Sequence, residues 1–324
     1  MRAVISKAPG APASLVLEDV AAPEAQPGMA VVRVEATGLN FFDTLIIADR
    51  YQIRPERPFS PGGEIAGVVE SVGEGVEIFK PGDKVIAYVR YGGCRERVLV
   101  AEDDLVHRPE AVDPIIAAGV TITYGTTIHA LRDRARLQPG ETVAVLGASG
   151  GVGQAAIEVA KVMGARVIAC ASSPEKLDFC RKVGADETID YSKENLKERL
   201  KELTGGAGVD VVYDPVGGAH AEQALRATAW EGRYLVIGFA AGEIPKIPLN
   251  LVLLKGCDVL GVFWGEAIVR DPDGHRENME LLLSWIGEGR ISPHIHKVYA
   301  LADTSAALEA IAGRGVKGKV IVVP

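Results

Sequence analysis

The sequence predicts an α/β protein in two parts: a compact, barrel-like β domain and a doubly wound parallel sheet with helices on both faces. Three observations predict it. At 324 residues the chain exceeds what one hydrophobic core usually organises, so two domains are expected. Roughly the first hundred residues break into short strands punctuated by Gly and Pro. From about Leu137 onward, short apolar strands alternate with amphipathic helices, the pattern of a parallel sheet covered on both sides.

In order along the chain, the early strands are Met29 to Val34, Glu64 to Val72, Lys84 to Val89 and Glu96 to Val100. The alternating region begins with strand Thr142 to Leu146, helix Val152 to Met163, strand Arg166 to Ala171 and helix Pro174 to Val183. Strands Val209 to Tyr213 and Tyr234 to Ile237 continue it. After Val262 come helices Arg276 to Ile286 and Thr304 to Ala312 and a last strand, Lys319 to Val323. This tail is too small to fold alone and is expected to return to the first domain. The domains are therefore drawn as 1–120, 121–262 and a returning 263–324.

Composition removes several function classes. Hydrophobic residues at 48% and charged residues at 24% exclude a wholly disordered chain. A net charge of −8 argues against a nucleic-acid partner, which needs a clustered basic face. The charge-rich stretch Lys193 to Lys201 mixes signs at helical spacing and reads as a solvated helix face. The first residues lack a signal-peptide core and no 18-residue apolar run follows, so no membrane association and a cytoplasmic location are expected. Cys94, Cys170, Cys180 and Cys257 are scattered with no CxxC pair, against a disulfide framework or thiolate zinc knot.

The most informative stretch is Thr142-Val-Ala-Val-Leu-Gly147-Ala-Ser-Gly150-Gly151-Val152-Gly153. Buried strand, glycine turn and helix follow one another, the setting a dinucleotide site requires. Glycines let the backbone approach a pyrophosphate, and the helix start offers unpaired N–H groups to its charge. Where NAD-selective folds place a carboxylate, at the tip of the second strand, this chain has Ser172-Ser173-Pro174-Glu175-Lys176. Two hydroxyls, a lysine and a helix start suit a 2′-phosphate, which favours NADPH. Ser173 also reads as an N-cap ahead of Pro174, and both roles are compatible.

With that loop in place, the chain resembles the zinc-free quinone oxidoreductases (zeta-crystallin-like) of the medium-chain dehydrogenase/reductase superfamily. The carriers are Gly38-Leu-Asn40-Phe-Phe-Asp43-Thr, Pro61-Gly-Gly-Glu-Ile-Ala-Gly-Val-Val, Lys80-Pro-Gly-Asp-Lys-Val, the glycine loop, Val212-Tyr-Asp-Pro-Val-Gly217 and Gly318-Lys-Val-Ile-Val. The resemblance implies a Rossmann domain inserted in a GroES-like catalytic domain. Zinc alcohol dehydrogenases of the superfamily have Cys where Asn40 stands and His where Gly63 stands, plus a four-Cys lobe that is missing here. A catalytic zinc takes about three protein ligands, so no metal is expected. His294 and His296 read as a surface strand or loop, and His129 as a packed or partly exposed helix residue.

The resemblance further implies that Asn40 and Asp43 line the nicotinamide side and that Thr127 contacts the cofactor. Gly150, Gly151, Val152 and Gly153 would hold the pyrophosphate, and Ser173, Lys176 and Tyr191 the 2′-phosphate. Phe239, Ala240, Phe263 and Trp264 would pass near the nicotinamide, with Lys319 as a final contact. Bland roles stand beside these: Phe263 and Trp264 as packing, Tyr191 capping a loop, Lys319 as a solvated strand end, Asp43 as a buried acceptor. Tyr51 is either a proton donor or an aromatic wall.

Without a Lewis acid, acceptors already electron-poor are favoured: quinones, or enones and enoyl thioesters. Arg50, Arg54 and Arg57 around Tyr51 either attract an anionic substrate such as a CoA ester or are simply solvated. An NADPH-binding protein with a structural or sensing role is the rival from another class. The family implies a homodimer or a tetramer, with edge strand Asp258 to Val262 as the expected contact.

Overall fold

The computed structural model describes every residue from Met1 to Pro324 and divides into two compact units, Met1–Thr123 with Arg270–Pro324, and Tyr124–Val269. The first unit opens with β1 (Arg2–Ile5), β2 (Val16–Asp19), β3 (Met29–Leu39), α1 (Phe41–Ile46), β4 (Glu64–Val72), β5 (Lys84–Tyr88), β6 (Arg97–Ala101), β7 (Leu105–His107) and α2 (Pro114–Ala117). Helix α3 (Thr121–Ile128) crosses the unit boundary and runs into a π-helical turn, His129–Arg134. Strand β3 extends past the predicted Val34 because its second half has another partner: after a bulge near Val34, Thr37 to Leu39 pair with a strand from the C-terminal end.

The second unit contains β8 (Thr142–Leu146), α4 (Gly151–Val162), β9 (Arg166–Ala171), α5 (Pro174–Val183), β10 (Glu187–Asp190), α6 (Leu196–Leu203), β11 (Val209–Asp214), α7 (His220–Ala227), β12 (Thr228–Val236), α8 (Leu249–Lys255), β13 (Asp258–Gly261) and α9 (Trp264–Arg270). Its six strands are all parallel, in the order β10-β9-β8-β11-β12-β13. This is the Rossmann order, with the reversal between β8 and β11 where such folds bind ligands. The strands are continuous apolar runs because both faces are covered: Ala144, Leu146, Ile168, Val212 and Leu225 are fully buried on one face of the sheet. Arg199 of α6 pairs with Glu194 and Glu202, the solvated face expected there.

The chain then returns to the first unit as α10 (Pro272–Gly287), β14 (Ile295–Ala300), α11 (Thr304–Ala312) and β15 (Lys319–Val323). Strands β14 and β15 complete a mixed seven-stranded sheet, β14-β15-β3-β4-β5-β7 with β6 on β3. Two sequence assignments need correction. Residues Phe263 to Val269, drawn with the returning tail, belong to the second unit, where the Trp264 indole packs on Gly125: a Cβ there would lie 2.9 Å from the ring. Strand β12 begins at Thr228, six residues before the predicted Tyr234; Glu231 at φ 58° and a register shift against β11 hide it from a periodicity reading.

Candidate active site

In the second unit the glycine loop leaves β8 at the switch point. Gly147 takes φ +58°, which glycine adopts without strain. A Cβ on Gly153 would lie 2.4 Å from Gly147 O and 2.6 Å from Ala148 Cα, so only glycine lets α4 start this close to the turn. Gly150 is different. Its φ is −77° and the nearest atom to an added Cβ is 3.5 Å away, so nothing inside the chain demands glycine. That open cradle, beside the free N–H groups of Gly151, Val152 and Gly153 in the first turn of α4, fits a pyrophosphate.

At the tip of β9, Ser173 caps α5 by accepting from Lys176 N, and Lys176 Nζ donates to Ser172 Oγ at 3.4 Å. Burial pushes the Tyr191 phenol up to about 12, against the pull of nearby Ser172, so it stays protonated. Ser172, Ser173, Lys176 and Tyr191 thus converge on one spot with no carboxylate at the strand tip. Ala240 N donates to Pro215 O, which folds the loop after β12 back over the end of β11 and leaves Phe239 exposed. Thr127 lies in the core with its hydroxyl paired to Tyr213 at 2.9 Å; Trp264 is buried and Phe263 exposed.

The first unit holds the other group. Asn40 caps α1, and Asp43, one turn in, accepts from Asn40 N at 2.7 Å and Gly62 N at 3.1 Å. Asn40 Nδ2 donates to Glu64 Oε1 at 2.8 Å. Lys319, the first residue of β15, is 3% exposed and donates from Nζ to Leu39 O, Asn40 Oδ1 and Glu64 Oε1 at 3.0, 2.6 and 2.7 Å. Glu64 Oε2 accepts from Ile122 N. The reading of Lys319 as a solvated strand end is therefore corrected: β15 pairs with β3, Val320 opposite Leu39, and carries the ammonium into the core. Its three protons are thus committed to the Leu39 carbonyl, Asn40 and Glu64.

Beside this network Tyr51 stacks on Phe42 with ring centroids 5.5 Å apart. Burial and the neighbouring Asp43 carboxylate hold the Tyr51 phenol above its ordinary value, so it carries its proton at neutral pH. Of the arginines around it, Arg57 pairs with Asp49 at 2.8 Å and lies over the Phe59 ring, whereas Arg50 and Arg54 are exposed. Gly63 sits in a filled space: a Cβ would lie 2.5 Å from Phe42 Cζ and 3.1 Å from Arg90 O. His129 pairs with Asp133, and His294 and His296 are exposed.

Burial pushes Asp43 up to about 7, against the pull of the two backbone N–H groups and Lys319. The folded protein then binds an extra proton between about pH 4 and 7, so this carboxyl lowers stability as pH rises through that window and has no further effect above it. Asp43→Asn leaves one of the two N–H donors unsatisfied and is expected to cost about 1–3 kcal/mol at pH 5. The gap to the parent protein narrows toward pH 8, because only the parent loses stability. Urea midpoints at the two pH values measure it, and a gap that widens with pH contradicts the assignment.

Glu64 was not singled out in the sequence. The available signal was an acidic residue opening the apolar run Ile65-Ala-Gly-Val-Val, matched by a lone Lys319 opening Val320-Ile-Val-Val.

Fold and site together define an oxidoreductase of the two-domain dehydrogenase class. Residues 26–112 match the model of the alcohol dehydrogenase GroES-like domain and residues 151–286 that of the zinc-binding dehydrogenases. The chain is 40% identical to quinone oxidoreductase-like protein 2 of Bos taurus, over 95% of this chain and 88% of that protein. It is 36% identical to a quinone oxidoreductase of Pseudomonas aeruginosa, over 97% of both. The crystal structure of the Thermus thermophilus quinone oxidoreductase, also determined with NADPH, superposes with a TM-score of 0.86 at 36% identity over the whole of both chains. The protein belongs to the quinone oxidoreductase family of the medium-chain dehydrogenase/reductases. No helix is long and apolar enough to cross a membrane.

Proposed function

We propose that the protein is an NADPH-dependent reductase of quinones or other conjugated carbonyl compounds, working without zinc. The observation that carries the cofactor assignment is the convergence of Ser172, Ser173, Lys176 and Tyr191 where a carboxylate would select NADH. Gly150 to Gly153 hold the pyrophosphate, and Asn40, Phe239, Ala240, Phe263 and Trp264 remain assigned to the nicotinamide side, while Thr127 and Lys319, both buried and paired, act only through Tyr213 and Asn40. NADPH when bound supplies the hydride.

The zinc-free reading is supported by what occupies the relevant places: Gly63 has no room for a side chain, and both amide atoms of Asn40 are committed to Lys319 and Glu64. These residues do not fit a zinc site. With no metal ion to polarise a simple ketone, the acceptor has to be electron-poor already. Tyr51 delivers the proton to the acceptor oxygen as hydride arrives, and burial, with Asp43 adding to it, keeps that phenol protonated until then. Exposed Arg50 and Arg54 favour a second reading, an enoyl thioester with an anionic tail.

Initial rates with NADPH and NADH against quinones, small enones and enoyl-CoA esters test both readings at once. Lys176→Ala is expected to raise KM for NADPH about tenfold, one lost charge-assisted contact, and to leave KM for NADH unchanged. Preference for enoyl-CoA esters would promote the thioester reading. Nucleotide binding with no turnover of any acceptor would replace both with a sensing or structural role.

We further propose a homodimer formed at β13, in the cytoplasm, where the four free, buried cysteines stay reduced. Strand β13 ends the sheet, and Trp230, Leu253, Leu254 and Val259 are exposed along that side. An open apolar edge pairs readily with its own copy about a twofold axis. Val259→Lys should shift the molecule to a monomer in sedimentation, and a parent protein that is already monomeric rules the dimer out.

A further inference from the structure

His220, the first residue of α7, is unclaimed by the fold's hydrogen bonding: its Nδ1 is buried without a partner. Its ring lies against Tyr191, centroids 4.4 Å apart and planes tilted by 35°. Burial pushes the imidazole below its ordinary value, opposed by the Asp214 carboxylate, so the ring is neutral at physiological pH. Asp214 is itself satisfied by Val216 N, Gly217 N and the Tyr234 hydroxyl. What His220 contributes is therefore a flat, uncharged surface rather than a charge or a bond to Nδ1.

That surface supports a specific partner. The Tyr191 phenol feels the nearby Ser172 hydroxyl, which accepts from Lys176 Nζ. A tyrosine ring has two torsions to fix, and here the turn after β10 supplies the backbone while α7 supplies the opposing face. We infer that His220 is a positioning residue for dinucleotide discrimination: its ring is the platform that holds Tyr191 beside Ser172 and Lys176, where a 2′-phosphate is read. The inference rests on the NADPH assignment and adds to it a residue on a different helix, which touches the phosphate only through Tyr191.

The test is direct binding, by titrating nicotinamide fluorescence of NADPH and NADH with the parent protein, His220→Ala and His220→Phe. His220→Ala should weaken NADPH about tenfold and leave NADH within about twofold, since only the phosphorylated nucleotide uses Tyr191. His220→Phe keeps the platform, removes the unpartnered nitrogen and should restore NADPH affinity to near the parent value. If the alanine variant does not fold, His220→Leu fills the space without a flat ring and should show the same selective loss. Equal weakening of both nucleotides, or parent-like NADPH binding by the alanine and leucine variants, overturns the inference. Equal affinity of the parent protein for NADPH and NADH would instead overturn the cofactor assignment beneath it.

Discussion

Lys319→Met is expected to destabilise the protein by about 3–5 kcal/mol, the cost of leaving a buried charge without its partner. Glu64 is fully buried, and without the ammonium its carboxylate keeps only the donors Asn40 Nδ2 and Ile122 N. The thermal midpoint should fall by on the order of 10 °C. The variant Lys319→Met with Glu64→Gln should recover most of that loss, because a neutral amide removes the stranded charge while retaining an acceptor for one N–H. Thermal unfolding of the two single variants and the double variant gives the coupling between the residues. A single variant within about 1 kcal/mol of the parent, the size of an exposed ion pair, would mean that the pair is not the anchor of this site.

The second large effect separates two glycines that look alike in sequence. Gly153→Ala forces a methyl against Gly147 O and Ala148, backbone atoms that cannot swing aside, so α4 must retreat from the turn. Overpacking of this kind costs about 1–3 kcal/mol, and NADPH affinity should fall about 100-fold because the helix start moves with it. Gly150→Ala meets nothing closer than 3.5 Å at an ordinary φ, so stability should be unchanged. Its methyl nevertheless fills the open cradle, and NADPH affinity should drop about tenfold. Calorimetric titration beside thermal unfolding reads both quantities. Tight NADPH binding by Gly150→Ala would move the pyrophosphate elsewhere.

Much of the second unit was legible because its signals are local. Strand Thr142–Leu146, the glycine turn and helix start, strand Arg166–Ala171 and helix Pro174–Val183 each follow from apolar runs, glycine spacing and a Ser-Pro cap read within a few residues. Short elements escaped: α1 and β7 span six and three residues, too few for a period to register. β12 escaped in part because its bulge breaks the alternation.

The candidate site divides along the same line. By itself the sequence determined the class of fold, the dinucleotide loop, the absence of a carboxylate at the β9 tip and the absence of metal-ligand side chains at positions 40 and 63, because each is a matter of residue type within one segment. Only the tertiary structure decided that Lys319 holds Asn40 and Glu64, residues 279 and 255 positions away, that Thr127 meets Tyr213, and that His220 lies on Tyr191. The physical reason is the range of the forces. Periodicity and capping act over a turn or two of chain, whereas a buried ion pair or a ring contact forms only after strand pairing, here β15 on β3, has carried distant residues into one water-free place.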